Sequence, residues 1–123
     1  MSQPEQRDSR RIILSGPAQV RFRAAGQAFD RLPLANLSHG GCLVMIPFET
    51  AGALCLDTPV TELVITYPGF PANPISARVA WTMAHAEGDT VAVGVHFLEM
   101  ASDTRIALVA LVDSTILQSA ERR

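Results

Sequence analysis

"PAQVRFRAA", Pro17 to Ala25, decides the architecture. Val20 and Phe22 alternate with Arg21 and Arg23, a two-residue period that puts an apolar pair on one face of a strand and a guanidinium pair on the other. One dry face and one wet face is the pattern of a half-buried strand.

Working outward, "AGQ" turns the chain into "AFDRLPLANLS", a second strand whose Pro33 points to an edge or a bulge. After the "HGG" turn come "CLVMIPF", a less regular link through "ETAGALCLDT", and then "VTELVITY", rich in β-branched residues. "PGFPANP" ends that run, because three prolines cannot belong to a central strand. "ISARVAWTM" and "VAVGVHFL" flank the Gly-containing "AHAEGDT" as a hairpin. Six or seven short strands with regular turns predict an antiparallel barrel or sandwich.

"SDTRIALVALVDSTILQSA" differs. It lacks Gly and Pro and opens on the cap residues Ser102 and Asp103, which predicts a helix over 102–120. Ile106, Val109, Ala110, Ile116 and Leu117 share one face, with Leu108 and Leu111 nearly opposite. A broad face packed on the barrel is one reading. Extra leucines contacting another chain, as in a homodimer formed through this helix, is the other. Residues 1–11 are polar and aperiodic and read as a flexible tail, 12–101 as the barrel and 102–120 as its helix, all within one domain.

The chain has 123 residues and a formal charge of −2, so it has no general field for nucleic acid or an anionic membrane. Any anion site must come from a local arginine cluster. All ten basic residues are Arg, the better partner for planar, bidentate acceptors. No signal peptide or membrane-length apolar run occurs, which predicts a cytoplasmic protein without membrane insertion. Cys42 and Cys55 form no CxxC pair and lie in apolar segments, so both read as reduced core thiols.

Nothing recognisable as a catalytic or metal constellation is present. His39, His85 and His96 form no HxH or HExxH pattern, adjacent Ser38 and His39 do not make a nucleophile and base, and no GxSxG, Walker A or GxGxxG motif occurs. The expectation is a binding protein, with no enzyme activity, no metal and no cofactor. Two motifs remain, "RDSRR" (Arg7 to Arg11) with RxxxR spacing and "NLSHGG" (Asn36 to Gly41) with NxSxxG spacing. Alone, the first is solvated charge and the second a hydrogen-bonded turn.

In this order and at this separation they resemble the signature of the PilZ domain family, RxxxR followed some tens of residues later by [D/N]xSxxG. "ISARVAW", "VAVGVHFLEM" and the final helix extend the likeness over essentially the whole chain. The resemblance implies a six-stranded antiparallel β-barrel capped by one C-terminal α-helix, binding the bacterial second messenger cyclic di-GMP. That ligand carries two guanines, with O6 and N7 acceptors, and two phosphates. A guanidinium can pair with either and can stack on a purine.

By resemblance, Arg7 and Arg11 hold guanine edges and phosphate from a segment that closes over the ligand, and Arg10 between them is a further candidate contact. Asn36 and Ser38 bond the other side of a guanine. Gly41 lacks a Cβ where backbone must turn or approach closely, a role Gly40 could share. Trp81 is either an aromatic beside the ligand or a core residue. Asn36 replaces the commoner Asp, "IIL" follows Arg11 where a Pro is usual, and Gln6 precedes Arg7 where many members have a further Arg, which favours one ligand per chain. The implied function is a cyclic di-GMP receptor or adaptor whose tail orders over the ligand and signals to an unidentified protein partner in motility, adhesion or exopolysaccharide control. Two rivals stand beside it: a PilZ-like adaptor with little nucleotide affinity, and an unrelated small barrel enzyme or cofactor binder.

Overall fold

The computed structural model describes residues 10–84 and 88–121. The predicted Arg7, the rest of the tail through residue 9, and His85 lie outside them. Six strands form a closed barrel: β1 (Gln19–Ala24), β2 (Gln27–Leu37), β3 (Gly41–Pro47), β4 (Pro59–Thr66), β5 (Ile75–Ala84) and β6 (Thr90–Glu99). Around the barrel the order is β1-β2-β3-β6-β5-β4, every pairing antiparallel, with β4 closing back onto β1. A one-turn helix, α1 (Phe48–Ala51), follows β3, and α2 (Ser102–Glu121) ends the chain.

The alternation of the opening stretch holds. Val20, Phe22 and Ala24 are buried and Gln19, Arg21 and Arg23 exposed. Phe22 stacks on Phe29 across the hairpin with ring centroids 5.0 Å apart. The two turn residues, Ala25 and Gly26, both have positive φ (52° and 76°), the backbone twist that a tight hairpin requires. Leu37, Ile46, Leu63, Ile65, Ile75 and Val79 fill the interior. Each such side chain contributes about 1.5–3 kcal/mol on burial.

Pro33 marks no edge, since the barrel has none. It lies beside a bulge instead: β2 gains one residue between its Leu32 and Phe29 pairings, where Arg31 takes φ 55°. At Pro33, β2 also parts from β1, and the edge that β1 vacates is taken by the chain just before the barrel. Ile12 forms an isolated antiparallel bridge to Leu37, with reciprocal backbone bonds of 2.8 and 2.9 Å. The loop between is tied by the Tyr67 hydroxyl, which donates to the Ser15 carbonyl at 3.1 Å.

The helix packs through a face other than the expected one. Thr104, Leu108 and Val112 are buried, with Leu111 and Ile116 against the same core, while Ile106 and Leu117 are 69% and 60% exposed. The buried set recurs at four-residue steps, and in a helix apolar nearly all round the sequence pattern does not say which stripe faces in. The start of α2 is held from the Pro-rich loop by Asn73, whose amide donates to the Asp103 carboxylate at 3.2 Å and to Thr104 Oγ1 at 3.1 Å.

Of the two thiols, only Cys42 is in the core; Cys55 is exposed. Cys55 sits in the link after α1, where Leu54 alone of its neighbours turns inward and Leu56 is exposed. Burial pushes the Cys42 thiol up from 9.0 to about 12, against a smaller opposing effect of the Arg11 charge. The folded state therefore keeps this proton where the unfolded chain releases it. The contribution of this group to stability is full below pH 9.0 and declines as pH rises toward about 12. Two outcomes are expected: a thiol reagent at neutral pH labels Cys55 but not Cys42 until urea unfolds the chain, and the urea midpoint falls progressively across that alkaline range.

Candidate functional site

The turn between β2 and β3 is built by one serine. Ser38 is buried, and its Oγ accepts from the Gly41 N–H at 3.1 Å and the Gly40 N–H at 3.3 Å while donating to the Gly41 carbonyl at 3.2 Å. The Ser38 N–H bonds the same carbonyl at 2.8 Å. The hydroxyl that the motif offers to a ligand is thus engaged within its own turn. Gly41 sits opposite His96 in the β3–β6 register, and a Cβ there would run into the backbone carbonyl of Val95. Close strand approach, rather than turn geometry, demands the glycine. Gly40 has no such demand, because a Cβ would meet nothing within 4 Å and its φ is not positive.

The Ile12 bridge sets the neighbouring Arg11 beside Asn36. Its Nη1 donates to Asn36 Oδ1 at 3.0 Å, joining the second arginine of RxxxR to the first residue of NxSxxG. Arg11, Ser38, Gly40, Gly41 and Trp81 then line one cleft of about 610 Å³. Asn36 stands behind Arg11 rather than on the cleft wall, and Arg10 is exposed outside it.

Trp81 reaches the cleft because of a bulge. The β5–β6 register shifts between Val79 and Trp81, so Val79 remains in the core while Ala80 and Trp81 both face the cleft. Trp81 is 36% exposed and pairs with Gly94, whose missing Cβ leaves room for the indole against the β6 backbone. The result is a flat aromatic wall, the shape on which a purine stacks.

Sequence reasoning missed the residues that complete the cleft. His39 and His96 line it from the turn and from β6, and Arg105 lines it from α2. His39 Nε2 lies 3.0 Å from Asp113 Oδ1, and Arg105 Nη1 donates to the His39 carbonyl at 3.2 Å, so the helix grips this turn twice. His39 was visible inside the motif itself, but no pattern in the sequence brings Arg105 to it. The described lining holds two arginines and two histidines and no carboxylate. In a chain of net charge −2, that is a local site for an anion. Among the described residues no group of His, Cys, Asp or Glu is arranged to hold a metal ion, and no helix is long and apolar enough to cross a membrane.

The PilZ domain family model matches residues 5–114. Among solved structures, apo MrkH from K. pneumonia superposes with a TM-score of 0.73 at 15% identity, over 92% of this chain and 52% of that one. The MrkH–c-di-GMP complex gives 0.71 at 14% identity, over 93% and 54%. The PilZ domain of YcgR from Escherichia coli, with c-di-GMP, gives 0.65 at 15% identity, over 91% and 92%. The chain therefore spans about half the length of MrkH and nearly all of the YcgR domain. At these identities the likeness is one of fold. No curated protein is significantly similar to the chain.

The two glycines of the turn are expected to behave differently. Gly41→Ala should lower unfolding stability by about 1–3 kcal/mol in urea denaturation, the usual cost of forcing an atom into packed structure. Gly40→Ala should change it by no more than about 0.5 kcal/mol, as at an unconstrained surface position.

Proposed function

The chain belongs to the PilZ domain family, and on that premise we propose that it is a cyclic di-GMP receptor whose ligand occupies the cleft between the β2–β3 turn, Trp81 and α2. The observation that carries the reading is the 3.0 Å bond between Arg11 and Asn36. It unites the family's two motifs at the rim of a cleft whose lining is cationic and aromatic. The MrkH and YcgR structures solved with c-di-GMP share this fold and support the choice of ligand.

Each residue type has a task that matches the ligand. Arg11 supplies a guanidinium fork to a phosphate or to guanine O6 and N7, and Arg7, four positions upstream, supplies the second. Arg10 adds charge beside them. Asn36 orients Arg11 from behind, its amide oxygen accepting the guanidinium's bond. Ser38 holds the turn that presents the Gly40 and Gly41 backbone, and Trp81 offers a stacking face. Binding engages the motif arginines and alters the surface offered to a downstream protein, by selection of the ligand-competent arrangement. No step of this cycle makes or breaks a bond, so the chain acts as a switch rather than an enzyme.

A protein contact has its own observation. Ile106, Ala110 and Leu117 share the exposed face of α2, an apolar stripe that the barrel does not cover. This suits a receptor that hands its signal to a protein, in processes such as motility, adhesion or exopolysaccharide control, and it equally suits an adaptor with little nucleotide affinity.

Calorimetric titration separates the two. Cyclic di-GMP is expected to bind the wild type at micromolar concentration or below and to raise its melting midpoint, as any ligand selective for the folded state must. Arg11→Ala should weaken binding at least tenfold, the effect of losing a charge-assisted hydrogen bond worth about 1.5–3 kcal/mol. Absence of heat with the wild type rejects the receptor reading in favour of the adaptor, and unchanged affinity in the mutant rejects the site.

A further inference from the structure

We infer that Arg105, on α2, is a ligand-binding residue of the same cleft, a guanidinium that meets the anionic ligand from the C-terminal helix. The inference rests on the cyclic di-GMP reading and names a contact outside the two motifs. Arg11 and Arg105 come from opposite ends of the chain, yet both line the one cleft. Only the docking of α2 through Leu108 and Val112 brings the second of them there.

Arg105 is also held for the task. One Nη1 donates to the carbonyl of His39 at 3.2 Å, which anchors the guanidinium beside the turn made by Ser38 and Gly41. A guanidinium carries several N–H donors in a planar fork, so a single bond to a carbonyl leaves an edge able to meet phosphate or the O6 and N7 atoms of guanine. Among the described residues Arg105 forms no ion pair, whereas Arg78 on the barrel is paired with Asp57 at 3.1 Å. A cation without a carboxylate partner among the described residues, in a cleft whose described lining holds no carboxylate, is the arrangement in which an incoming anion becomes the counter-charge.

The geometry gives this contact a consequence for signalling. The same turn residue is bound by α2 a second time, through His39 Nε2 and Asp113 Oδ1 at 3.0 Å. A ligand that engages Arg105 therefore acts on the helix that carries the exposed Ile106 and Leu117 stripe.

The test is calorimetric titration of cyclic di-GMP into the full chain as wild type, Arg105→Ala, Arg105→Gln and Arg11→Ala, at low and at high sodium chloride. The glutamine side chain can keep a hydrogen bond to the His39 carbonyl while losing the charge. It therefore separates a ligand contact from a strut. Expected are a weakening of about tenfold or more in both Arg105 variants, a flatter dependence of affinity on salt than in the wild type, and, for Arg105→Gln, an unchanged melting midpoint without ligand. Arg105→Gln binding like the wild type overturns the inference, as does weaker binding with the salt dependence intact. A wild type that does not bind removes the receptor reading and this contact together. Loss in Arg11→Ala but not in Arg105→Gln removes only the contact.

Discussion

In a closed barrel every strand must find a hydrogen-bonding partner on both edges, and here β2 is nearly twice as long as β1, eleven residues against six. Past Pro33 the inner strand pair therefore runs out, leaving Leu37, which is fully buried, with backbone groups to satisfy. An unpaired buried donor or acceptor costs about 1–3 kcal/mol. Ile12 supplies both partners and buries its own side chain in doing so. The position of Arg11 follows from this repair. Adjacent to a residue that is locked into the sheet, it comes to Asn36, one place before Leu37, and the meeting of two distant motifs is a by-product of barrel closure.

The bulges are the second expression of the same constraint. Strands wrapped around so small a core must bend, and extra residues at Arg31 and Glu62, both with positive φ, supply the bend. Conformations of this kind cost about 1–3 kcal/mol each outside glycine and persist only where the surroundings impose them. The β5 irregularity after Val79 belongs to the same set, and it has a chemical product. It interrupts the inward–outward alternation and turns an indole onto the cleft. Barrel curvature and an aromatic wall thus share a single cause.

Much of this was legible in the residues. The alternation of Val20 to Arg23, the Pro-rich break after β4, the β5–β6 hairpin and the Gly-free final helix all declare themselves through local pattern, and barrel closure is what the resemblance to the PilZ family implies. What the sequence hid is whatever depends on a choice among equivalent faces or on tertiary proximity. The inward stripe of α2 runs through Thr104, Leu108 and Val112, not through Ile106 and Leu117. Cys55 sits among leucines and is nonetheless exposed. At Trp81 two readings were open, and the bulge that decides between them leaves no mark in composition. Ser38 and Gly41 were visible as a motif, but the inward use of the hydroxyl and the demand made by the Val95 carbonyl come only from their surroundings. Arg105 is invisible to any local reading, because only the folded barrel brings it to His39.

The indole seated on Gly94 has an optical consequence. Trp81 is the only tryptophan in the chain. The intrinsic tryptophan emission of the whole protein is therefore light from one point on the wall of one cleft. An aromatic guest stacked there acts on every tryptophan the protein has, with no second indole elsewhere to dilute the change. By turning this side chain outward, the bulge in β5 has placed the molecule's own spectroscopic probe on the wall of that cleft.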